Sequence, residues 1–578
     1  MRYIDPQTPA SAVLQQPDAK HAIGVIAPDL LASPMLTQLA DFPFGSLATL
    51  ILGEGDPRRS AVLEAVAQFE DLSPLPPQDP AIAAPLDYEG AEVARGSATV
   101  EIPDAAARNE RVEIVLRGPS HGTPFVDVDL TAAFTLDPAT TVHVGGFYDG
   151  DGVYRLRFLP PRAGRWTFTT QSTARSLDGV QGVVDVDESD AAGPVRVSGR
   201  GFVRADGTPF VPVGTTAYAW THQPAVLQEQ TLRSLATAPF NKLRMGLFPK
   251  SFLFNANEPE RFVFPRAEGG AFDTTRFDLE YFAHLERRID ELANLGIDAD
   301  VILFHPYDRW GFARLGAAAD DRYVSYVVRR LSAFPNVWWS MANEYDLLTA
   351  MRREDWDRLA GLVVANDPVG HPLSIHNWVE IFDYTAEWAT HASIQGGGRE
   401  MAQSVAKWRN RWDKPIVVDE FGYEGDIDQG WGNLTAEEVV RRFWEATLQG
   451  AFLTHGETFW SDDEVIFWAK GGTLRGESLP RLAFLRELIE AAPDGRIAPL
   501  PSDWDFATGG GDGYALTYFS DARPKFRTVR VAQGMRAKID IIDTWAMTIE
   551  ELPGIHESDV RVDLPARPYI AVRVRAAD

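Results

Sequence analysis

The sequence predicts a multidomain protein, of mixed α/β plus all-β class, whose centre is a (β/α)8 TIM barrel. Over residues 196–497, eight short apolar runs alternate with helix-like stretches, the pattern of repeated β-α units. On either side, over 86–195 and 498–578, apolar and polar residues alternate with a period of two, as in strands with one solvated face. The chain of 578 residues is also too long for one hydrophobic core.

The eight barrel strands are predicted from apolar runs that end in polar or aromatic residues. In chain order these runs are TPFVPVGTTAYAW, FNKLRMGLFPKS, IDADVILFHPYDRW, VWWSMANEYD, PLSIHN, WATHASIQ, PIVVDEFGYEG and AFLTHGETFWSDD. Helical stretches such as FDLEYFAHLERRIDELANLG and AEEVVRRFWEATLQG lie between some of them. Because a barrel carries its active site at the carboxyl ends of its strands, the residues that end each run are the first candidates for chemistry.

Two β-domains flank the barrel. Residues 86–195 hold short strands such as RVEIVLRG, TVHVGGFYDG and GRWTFTTQS, broken by Gly, Pro and Asp, and these predict an N-terminal β-sandwich. Residues 498–578, with YALTYFS, AKIDIIDTWAMTIEEL and YIAVRVRA, predict a small C-terminal β-domain that packs against the barrel.

The N-terminal region is predicted to be helical. Residues 1–72 place apolar side chains at three- and four-residue spacing, and Asp56-Pro57 is a typical helix start. We expect a helical cap or an oligomerisation element here, which leaves a homo-oligomer open. The stretch SPLPPQDPAIAAP, residues 73–85, has five prolines and predicts a linker.

Composition excludes several classes of function. A net charge of −27 argues against nucleic-acid binding, anionic membrane surfaces and polyanionic substrates, so a neutral ligand fits better. The absence of cysteine excludes disulfides, thiolate metal sites and cysteine nucleophiles. With no basic segment followed by an apolar run at the start, and no stretch of about 18 apolar residues, we expect a soluble, cytoplasmic protein.

Two carboxylates are distinguished by their positions. Glu344 follows VWWSMAN at the end of the fourth run, and Glu420 follows PIVVD at the end of the seventh. Carboxyl groups on these two strands are expected to flank one bond, at the separation of about 5–5.5 Å used by retaining glycosidases. In that mechanism one carboxyl protonates the leaving oxygen, and the other attacks the anomeric carbon. The competing interpretation is a salt bridge or helix cap at the barrel rim.

The Asn343-Glu344 pair, together with Glu420, resembles clan A glycoside hydrolases. The resemblance implies that Glu344 is the acid/base, that Glu420 is the nucleophile and that Asn343 binds the hydroxyl beside the anomeric centre. Arg244, in NKLRMG, matches an arginine that commonly supports the nucleophile. More widely, GGFYDGDGVYRLRFLPPRAGRWTFTTQS resembles the DUF5060 signature, whereas HPYDRWGFA and NEYD resemble a DUF4038-like barrel. This combination, with a DUF5605-type C-terminal domain, is that of a group of bacterial proteins.

Further residues at strand ends are candidates for the sugar pocket, as hydroxyl-binding groups or aromatic walls. They are Tyr218, Trp220, His305, Tyr307, Asp308, His376, Asn377, Gln395, Trp460 and Asp462. Glu424 and Asp426 are expected to shape the following loop, and Asp419 to point away from Glu420 as a structural residue. For each of them alone, support of the loops is the competing interpretation.

We expect no cofactor and no metal. His305, His376 and His391 end or approach strands, but no short-spaced set such as HExxH accompanies them. The predicted function is a retaining glycoside hydrolase acting on a neutral oligosaccharide or small glycoside, such as a galactoside, arabinoside or glucoside. A transglycosylase with the same carboxylate pair, an inactive carbohydrate-binding barrel and a metal-dependent hydrolase remain alternatives.

Overall fold

The structure is a computed structural model that describes residues 2–53, 55–73, 81–398, 401–501 and 506–577. Residues 74–80 of the predicted linker lie outside the described residues. The chain divides into two compact units. Unit 1 comprises Met1–Pro194, Gly246–Arg288 and Val301–Trp388; unit 2 comprises Val195–Met245, Ile289–Asp300 and Ala389–Asp578.

The predicted barrel is confirmed by an eight-stranded sheet in which every predicted run contributes one strand. The strands follow the order five, four, three, two, one, eight, seven, six, which is that of a (β/α)8 barrel. Almost every strand residue is buried, because helices cover the outer face of a parallel sheet. In chain order the barrel strands are Val213–Thr216, Lys242–Gly246, Asp298–Phe304, Val337–Ala342, Leu373–Ser374, Ala392–Gln395, Ile416–Glu420 and Ala451–His455.

Helices follow all barrel strands except the fifth, because residues 375–391, all described, form only loops. The helices are Ala225–Leu235, Leu279–Asn294, Ala317–Leu331, Arg353–Asn366, Met401–Trp412, Ala436–Leu448, Phe467–Lys470 and Leu479–Glu490. Thr435 caps one of them by accepting a hydrogen bond from the backbone N–H of Glu438 at 3.3 Å. In the described part of the chain, no helix combines the length and the apolar character that crossing a membrane would need.

The predicted β-sandwich is confirmed within unit 1. Its seven antiparallel strands are Thr99–Glu101, Val112–Arg117, Leu130–Asp137, Thr140–Tyr148, Val153–Phe158, Gly164–Ser172 and Gln181–Val186. The strand Thr140–Tyr148 pairs first with Leu130–Asp137 and, from Gly146 on, with Val153–Phe158. A Cβ on Gly146 would lie 2.6 Å from the Leu130 side chain, so a larger residue where the strand changes partner would require this buried side chain to shift.

The N-terminal segment is helical, and it packs on the barrel loops of the same unit. Asp5 pairs with Arg352 at 3.0 Å, and Phe42 meets Trp378 edge to face with ring centroids 5.8 Å apart. Asp56 caps its helix as predicted, by accepting from the N–H of Arg58. The helices are Ala10–Gln15, Pro17–Ile26, Pro28–Ala32, Pro34–Gln38, Phe44–Leu52 and Pro57–Val66.

The C-terminal β-domain is confirmed within unit 2. Its main sheet has the strands Ala498–Pro499, Ala507–Gly511, Tyr514–Tyr518, Ala537–Asp543, Thr548–Glu551 and Ile570–Ala576. The strands Phe526–Val529 and Val560–Asp563 form a separate antiparallel pair. Buried residues such as Phe519, Ile539 and Val562 form its core.

Candidate active site

The end of barrel strand seven holds Glu420 in a polar cluster of unit 2. Glu420 is 5% exposed, and its Oε1 accepts a hydrogen bond from the Tyr218 hydroxyl. The fully buried Arg244 donates to that hydroxyl at 3.1 Å and lies 3.6 Å from Glu420 Oε1. Burial, followed by the charge of Glu420, raises the pKa of Tyr218 well above its ordinary value despite the opposing Arg244. Tyr218 is therefore a neutral donor that keeps one carboxylate oxygen oriented.

A chain of buried charges lies behind Arg244. Lys242 is fully buried, and its Nζ lies 2.7 Å from Asp300 and 2.8 Å from Asp419. Asp419 also accepts from Ser393 at 2.5 Å and from Thr454 at 2.7 Å. Asp419 is thus held by the Lys242 cation and by two hydroxyls within the barrel, which is the geometry of a structural residue.

Glu420 also lines a cavity of about 280 Å³. Gln395, the last residue of strand six, pairs with Glu420 after a shift in the strand register and lines the same cavity. The cavity has an aromatic wall in Trp431, which is 39% exposed and packs edge to face on Tyr423 at 4.3 Å. A carboxylate, an amide and an exposed indole are the groups that bind a sugar ring, by hydrogen bonds and by contact with its apolar face.

The other candidates in unit 2 have different surroundings. Trp220 is fully buried in the short 3-10 helix Trp220–His222 and presents no face to solvent. Trp460 is 46% exposed after strand eight, and its backbone N–H donates to Asp426 at 2.6 Å, so Asp426 shapes that loop. Asp462 is exposed on the same loop.

Glu424, beyond strand seven, forms hydrogen bonds with another loop of the protein. Its carboxylate accepts from the backbone N–H groups of Glu477 and Ser478, at 2.7 and 3.2 Å, and from the Ser478 hydroxyl. Burial opposes ionisation, but these hydrogen bonds and the neighbouring His455 lower the pKa of Glu424 below its ordinary value. Glu424 therefore anchors the loop that precedes the last barrel helix.

In unit 1, Glu344 occupies an uncommon backbone conformation directly after strand four. Its φ of 53° and ψ of 57° lie in the left-handed region, and its carbonyl accepts from Leu347 N–H at 3.0 Å. A non-glycine residue in this region costs about 1–2 kcal/mol, and such residues concentrate at functional sites. The side chain is 5% exposed, and its Oε2 accepts a hydrogen bond from the Tyr307 hydroxyl.

A buried lysine accompanies this pair. Lys250 is 4% exposed, and its Nζ lies 4.3 Å from the centroid of the Tyr307 ring, within the range of a cation–π interaction. The ring also packs against Phe252 at 4.6 Å. Tyr307 is therefore fixed from two sides while its hydroxyl is directed to Glu344.

Backbone hydrogen bonds join strand four to its neighbours. Asn343 N–H donates to Phe304 O at 2.9 Å, and His376 N–H donates to Ala342 O at 3.0 Å. Asn343, His376 and Asn377 are all buried. Asp346, which is not among the residues predicted for the site, is fully buried and accepts from the N–H groups of Trp378, Val379 and Glu380 at 2.6, 2.8 and 2.8 Å. Asp346 thereby fixes the loop that carries Asn377.

Two candidates after strand three hold the loop in place. His305 Nε2 donates to Phe248 O at 3.1 Å, and burial, with the charge of Lys250, lowers its pKa to about 4, so the ring is neutral near pH 7. Asp308 accepts from the N–H groups of Trp310, Gly311 and Ala313 at 2.7, 3.2 and 2.8 Å. Such a carboxylate has little capacity left for substrate hydroxyls.

The histidines do not form a metal centre in the part of the chain that the structure describes. No group of three or more His, Asp or Glu side chains there could hold a metal ion. Burial lowers the pKa of His391 to about 3, and its ring meets Phe202 edge to face at 5.8 Å. His391 is thus packed as a neutral aromatic residue.

Comparison with family models finds three consecutive matches. Residues 106–173 match DUF5060, residues 197–473 match the apiosidase-like catalytic domain, and residues 504–575 match DUF5605. No curated protein matches the chain.

Solved structures agree with these matches. A candidate glycoside hydrolase from Bacteroides vulgatus is 38% identical with a TM-score of 0.78, and the alignment covers 82% of this chain and all of that chain. A glycoside hydrolase family 5 protein from the same organism is 17% identical with a TM-score of 0.52, over 67% of this chain and 94% of that chain, which shows a shared fold.

The fold and these matches define the class, a glycoside hydrolase built on a (β/α)8 barrel. Within this class, the chain belongs to the family of the 38% identical Bacteroides vulgatus protein. Its barrel is similar to the apiosidase-like catalytic domain, and the flanking regions are similar to DUF5060 and DUF5605.

Proposed function

We propose that the chain is a retaining exo-glycosidase that releases a terminal neutral sugar from a small glycoside. Glu420 is the nucleophile, and Glu344 is the general acid and then the general base. The observation that carries this proposal is the environment of Glu420, a buried carboxylate oriented by Tyr218 and Arg244 at the edge of a small cavity. A carboxylate held in this way is suited to attack one carbon in a fixed direction.

The reaction has two steps. The Glu420 carboxylate forms a bond to the anomeric carbon while the bond to the leaving oxygen breaks, and the Glu344 carboxyl gives its proton to that oxygen. Water then gives a proton to Glu344 and attacks the anomeric carbon, which releases Glu420 and a sugar of unchanged anomeric configuration. Tyr307 supports Glu344 by keeping its carboxyl in one orientation.

The sugar is proposed to be a pentose of the apiose type. The apiosidase-like model matches residues 197–473, which contain both carboxylates. A cavity of about 280 Å³ at Glu420 suits a single small sugar, and the net charge of −27 favours a neutral one. Arabinosides, galactosides and glucosides are the nearest alternatives.

The test is a panel of 4-nitrophenyl glycosides, including the apioside, arabinosides, galactosides and glucosides, assayed with wild type, Glu420→Gln and Glu344→Gln. Exposed Glu268→Gln is the matched control and should behave as wild type. Glu420→Gln should lose more than about 1,000-fold in kcat. Glu344→Gln should lose far less on nitrophenyl glycosides than on disaccharides, because a good leaving group needs little protonation.

Stereochemistry provides a second readout. Proton NMR of the first-formed product should show the anomer of the substrate, and inversion would contradict a glycosyl-enzyme intermediate. Transfer of the sugar to added methanol or disaccharide in preference to water would favour the transglycosylase alternative. Activity that survives in Glu420→Gln would remove that residue from the mechanism, and a wild type that binds sugars without hydrolysing them would favour a binding protein.

A further inference from the structure

Unit 2 contains a cavity of about 320 Å³ at the amino ends of the barrel strands, which we call the amino-end cavity. Ala451, the first residue of strand eight, lines it, whereas Glu420 is the last residue of the parallel strand seven. The amino-end cavity therefore lies at the end of the barrel sheet opposite to Glu420. Its volume is within the range of about 300–1,000 Å³ that is typical of small-molecule sites.

The burial of the barrel strands also marks this cavity. All the strand residues, every one of which is described, are buried except Gln395 and Phe452, which are half-buried. Gln395 lines the cavity beside Glu420, and Phe452 lines the amino-end cavity. The barrel thus leaves one aromatic side chain accessible at its amino end.

Phe452 is part of an apolar wall. The hairpin of the strands Val195–Ser198 and Gly201–Arg204 contributes Phe202, whose ring packs on that of Phe452 with centroids 5.3 Å apart. The buried Ile489, from the last barrel helix, extends the wall. A wall of this kind offers contact to the ring or alkyl chain of a ligand.

The remaining side chains give the amino-end cavity a positive charge. Arg200 comes from the tip of the hairpin, Arg409 from the helix Met401–Trp412 and Arg496 from the segment after the last barrel helix. Three arginines against one carboxylate, that of Asp494, leave the lining with a net charge of +2. In a chain with a net charge of −27, this local excess favours an anion.

Two of these arginines are not neutralised within the described part of the chain. Arg200 pairs with Asp413 at 2.6 Å, but Arg409 donates only to the Gly450 carbonyl, at 2.7 Å, and has no carboxylate within ion-pair distance. Burial, and then the charge of Arg200, lower the pKa of Arg409 against the opposing Asp413. Arg496 is exposed and forms neither an ion pair nor a hydrogen bond with another described residue. A bound anion would therefore stabilise the charged form of Arg409 and give Arg496 a partner.

We propose that the amino-end cavity is a binding site for a small organic carboxylate with an apolar body. The carboxylate accepts hydrogen bonds from Arg409 and Arg496, and the apolar body lies against Phe202 and Phe452. An inorganic anion would leave the aromatic wall unused, and a neutral ligand would leave the arginines without a partner. The inference does not depend on the proposed function, because the cavity and Glu420 lie at opposite ends of the sheet.

The test is isothermal titration calorimetry of the full chain with 3-phenylpropanoate at low salt. The amide 3-phenylpropanamide has the same body without the charge, and inorganic phosphate has charge without the body. Arg496→Ala removes an exposed side chain that contacts no other described residue, and Arg409→Gln removes a charge but keeps a donor for Gly450. The matched control is Arg523→Ala, an exposed arginine of the C-terminal domain that does not line the cavity. Circular dichroism melting confirms that each variant is folded.

Wild type should bind 3-phenylpropanoate with a Kd below about 1 mM, and the amide and phosphate at least about tenfold more weakly. The Kd should rise at least about fivefold in Arg496→Ala and in Arg409→Gln, because each loses a charged donor, and stay within about twofold in Arg523→Ala.

Three results would overturn the inference. They are a wild type without measurable binding, an amide that binds as tightly as the carboxylate, and an unchanged Kd in both cavity variants. Glu420→Gln should bind 3-phenylpropanoate as wild type does, since its side chain lies at the other end of the sheet. A loss of binding in that variant would place the ligand in the Glu420 cavity and would also overturn the inference.

Discussion

The hydrogen bond from Tyr218 to Glu420 allows the support of the proposed nucleophile to be measured by removing a single oxygen atom. In Tyr218→Phe the ring and its packing remain, but the carboxylate loses a neutral donor. A hydrogen bond to a charged group contributes about 1.5–3 kcal/mol, which corresponds to a loss of roughly 10- to 150-fold in kcat/KM. Arg244 limits the loss, because it still lies 3.6 Å from Glu420 and loses only its contact with the Tyr218 hydroxyl.

The assay is kcat/KM for the best 4-nitrophenyl glycoside from pH 5 to pH 9. Burial raises the pKa of Tyr218 well above 10, so the hydroxyl stays a donor over this range and the loss should be the same at each pH. Tyr514→Phe is the matched control, because this tyrosine of the C-terminal domain has a buried hydroxyl that donates at 2.6 Å to the backbone carbonyl of Leu488 in the last barrel helix. Equal activity of Tyr218→Phe and Tyr514→Phe would refute the positioning of the nucleophile by Tyr218.

Two further predictions concern the cavity and the stability of the barrel. Trp431→Ala should raise KM for the nitrophenyl glycoside about tenfold with a smaller change in kcat, because it removes the apolar wall beside Glu420. Trp545→Ala in the C-terminal domain is the control. Equal KM values for the two variants would contradict a role of Trp431 in sugar binding. Burial raises the pKa of Asp320 to about 7 against the opposing charge of Arg358, so the folded state holds a proton between pH 3.8 and about 7 that the unfolded state has lost. The free energy of unfolding therefore falls with rising pH in this window, by about 1.4 kcal/mol per pH unit. The asparagine of Asp320→Asn cannot ionise, so the melting temperature of this variant should rise relative to that of wild type between pH 5 and pH 7.5. A difference between the two melting temperatures that is the same at every pH would show that Asp320 is not protonated in the folded state.

The barrel was predictable because its strands are buried on both faces. Each strand therefore lies in a mostly apolar run, such as VWWSMA or PIVVD, and all eight predicted runs contain a strand. The sandwich was predictable for the complementary reason, since a half-solvated strand alternates with period two. The domain boundaries and the roles of the site residues stay predictions. The structure adds the positions of those residues.

Sequence patterns find strand ends but do not show how the following loops fold. Trp431 lies eleven residues beyond Glu420, and only the path of the loop brings it to the same cavity. The sequence FPKS gives no sign that Lys250 has a partner, whereas in the structure its Nζ lies 4.3 Å from the centroid of the Tyr307 ring. Lys242 lies within a predicted strand, and only the fold shows that its buried charge is balanced by Asp300 and Asp419 from other strands. Each of these depends on contacts between residues that are distant in sequence.

Glu344 and the carboxylates near it differ in their hydrogen-bond partners. Asp308 and Asp346 lie near it in sequence or on a neighbouring loop, yet each accepts three backbone N–H groups and so fixes a loop. Glu344 instead accepts from a tyrosine hydroxyl and occupies a left-handed backbone conformation. A strained residue keeps its conformation only where its surroundings are rigid. Asp308 and Asp346 are committed to holding loops, and this contrast supports the proposal that Glu344 is the carboxylate of this region that acts as acid/base.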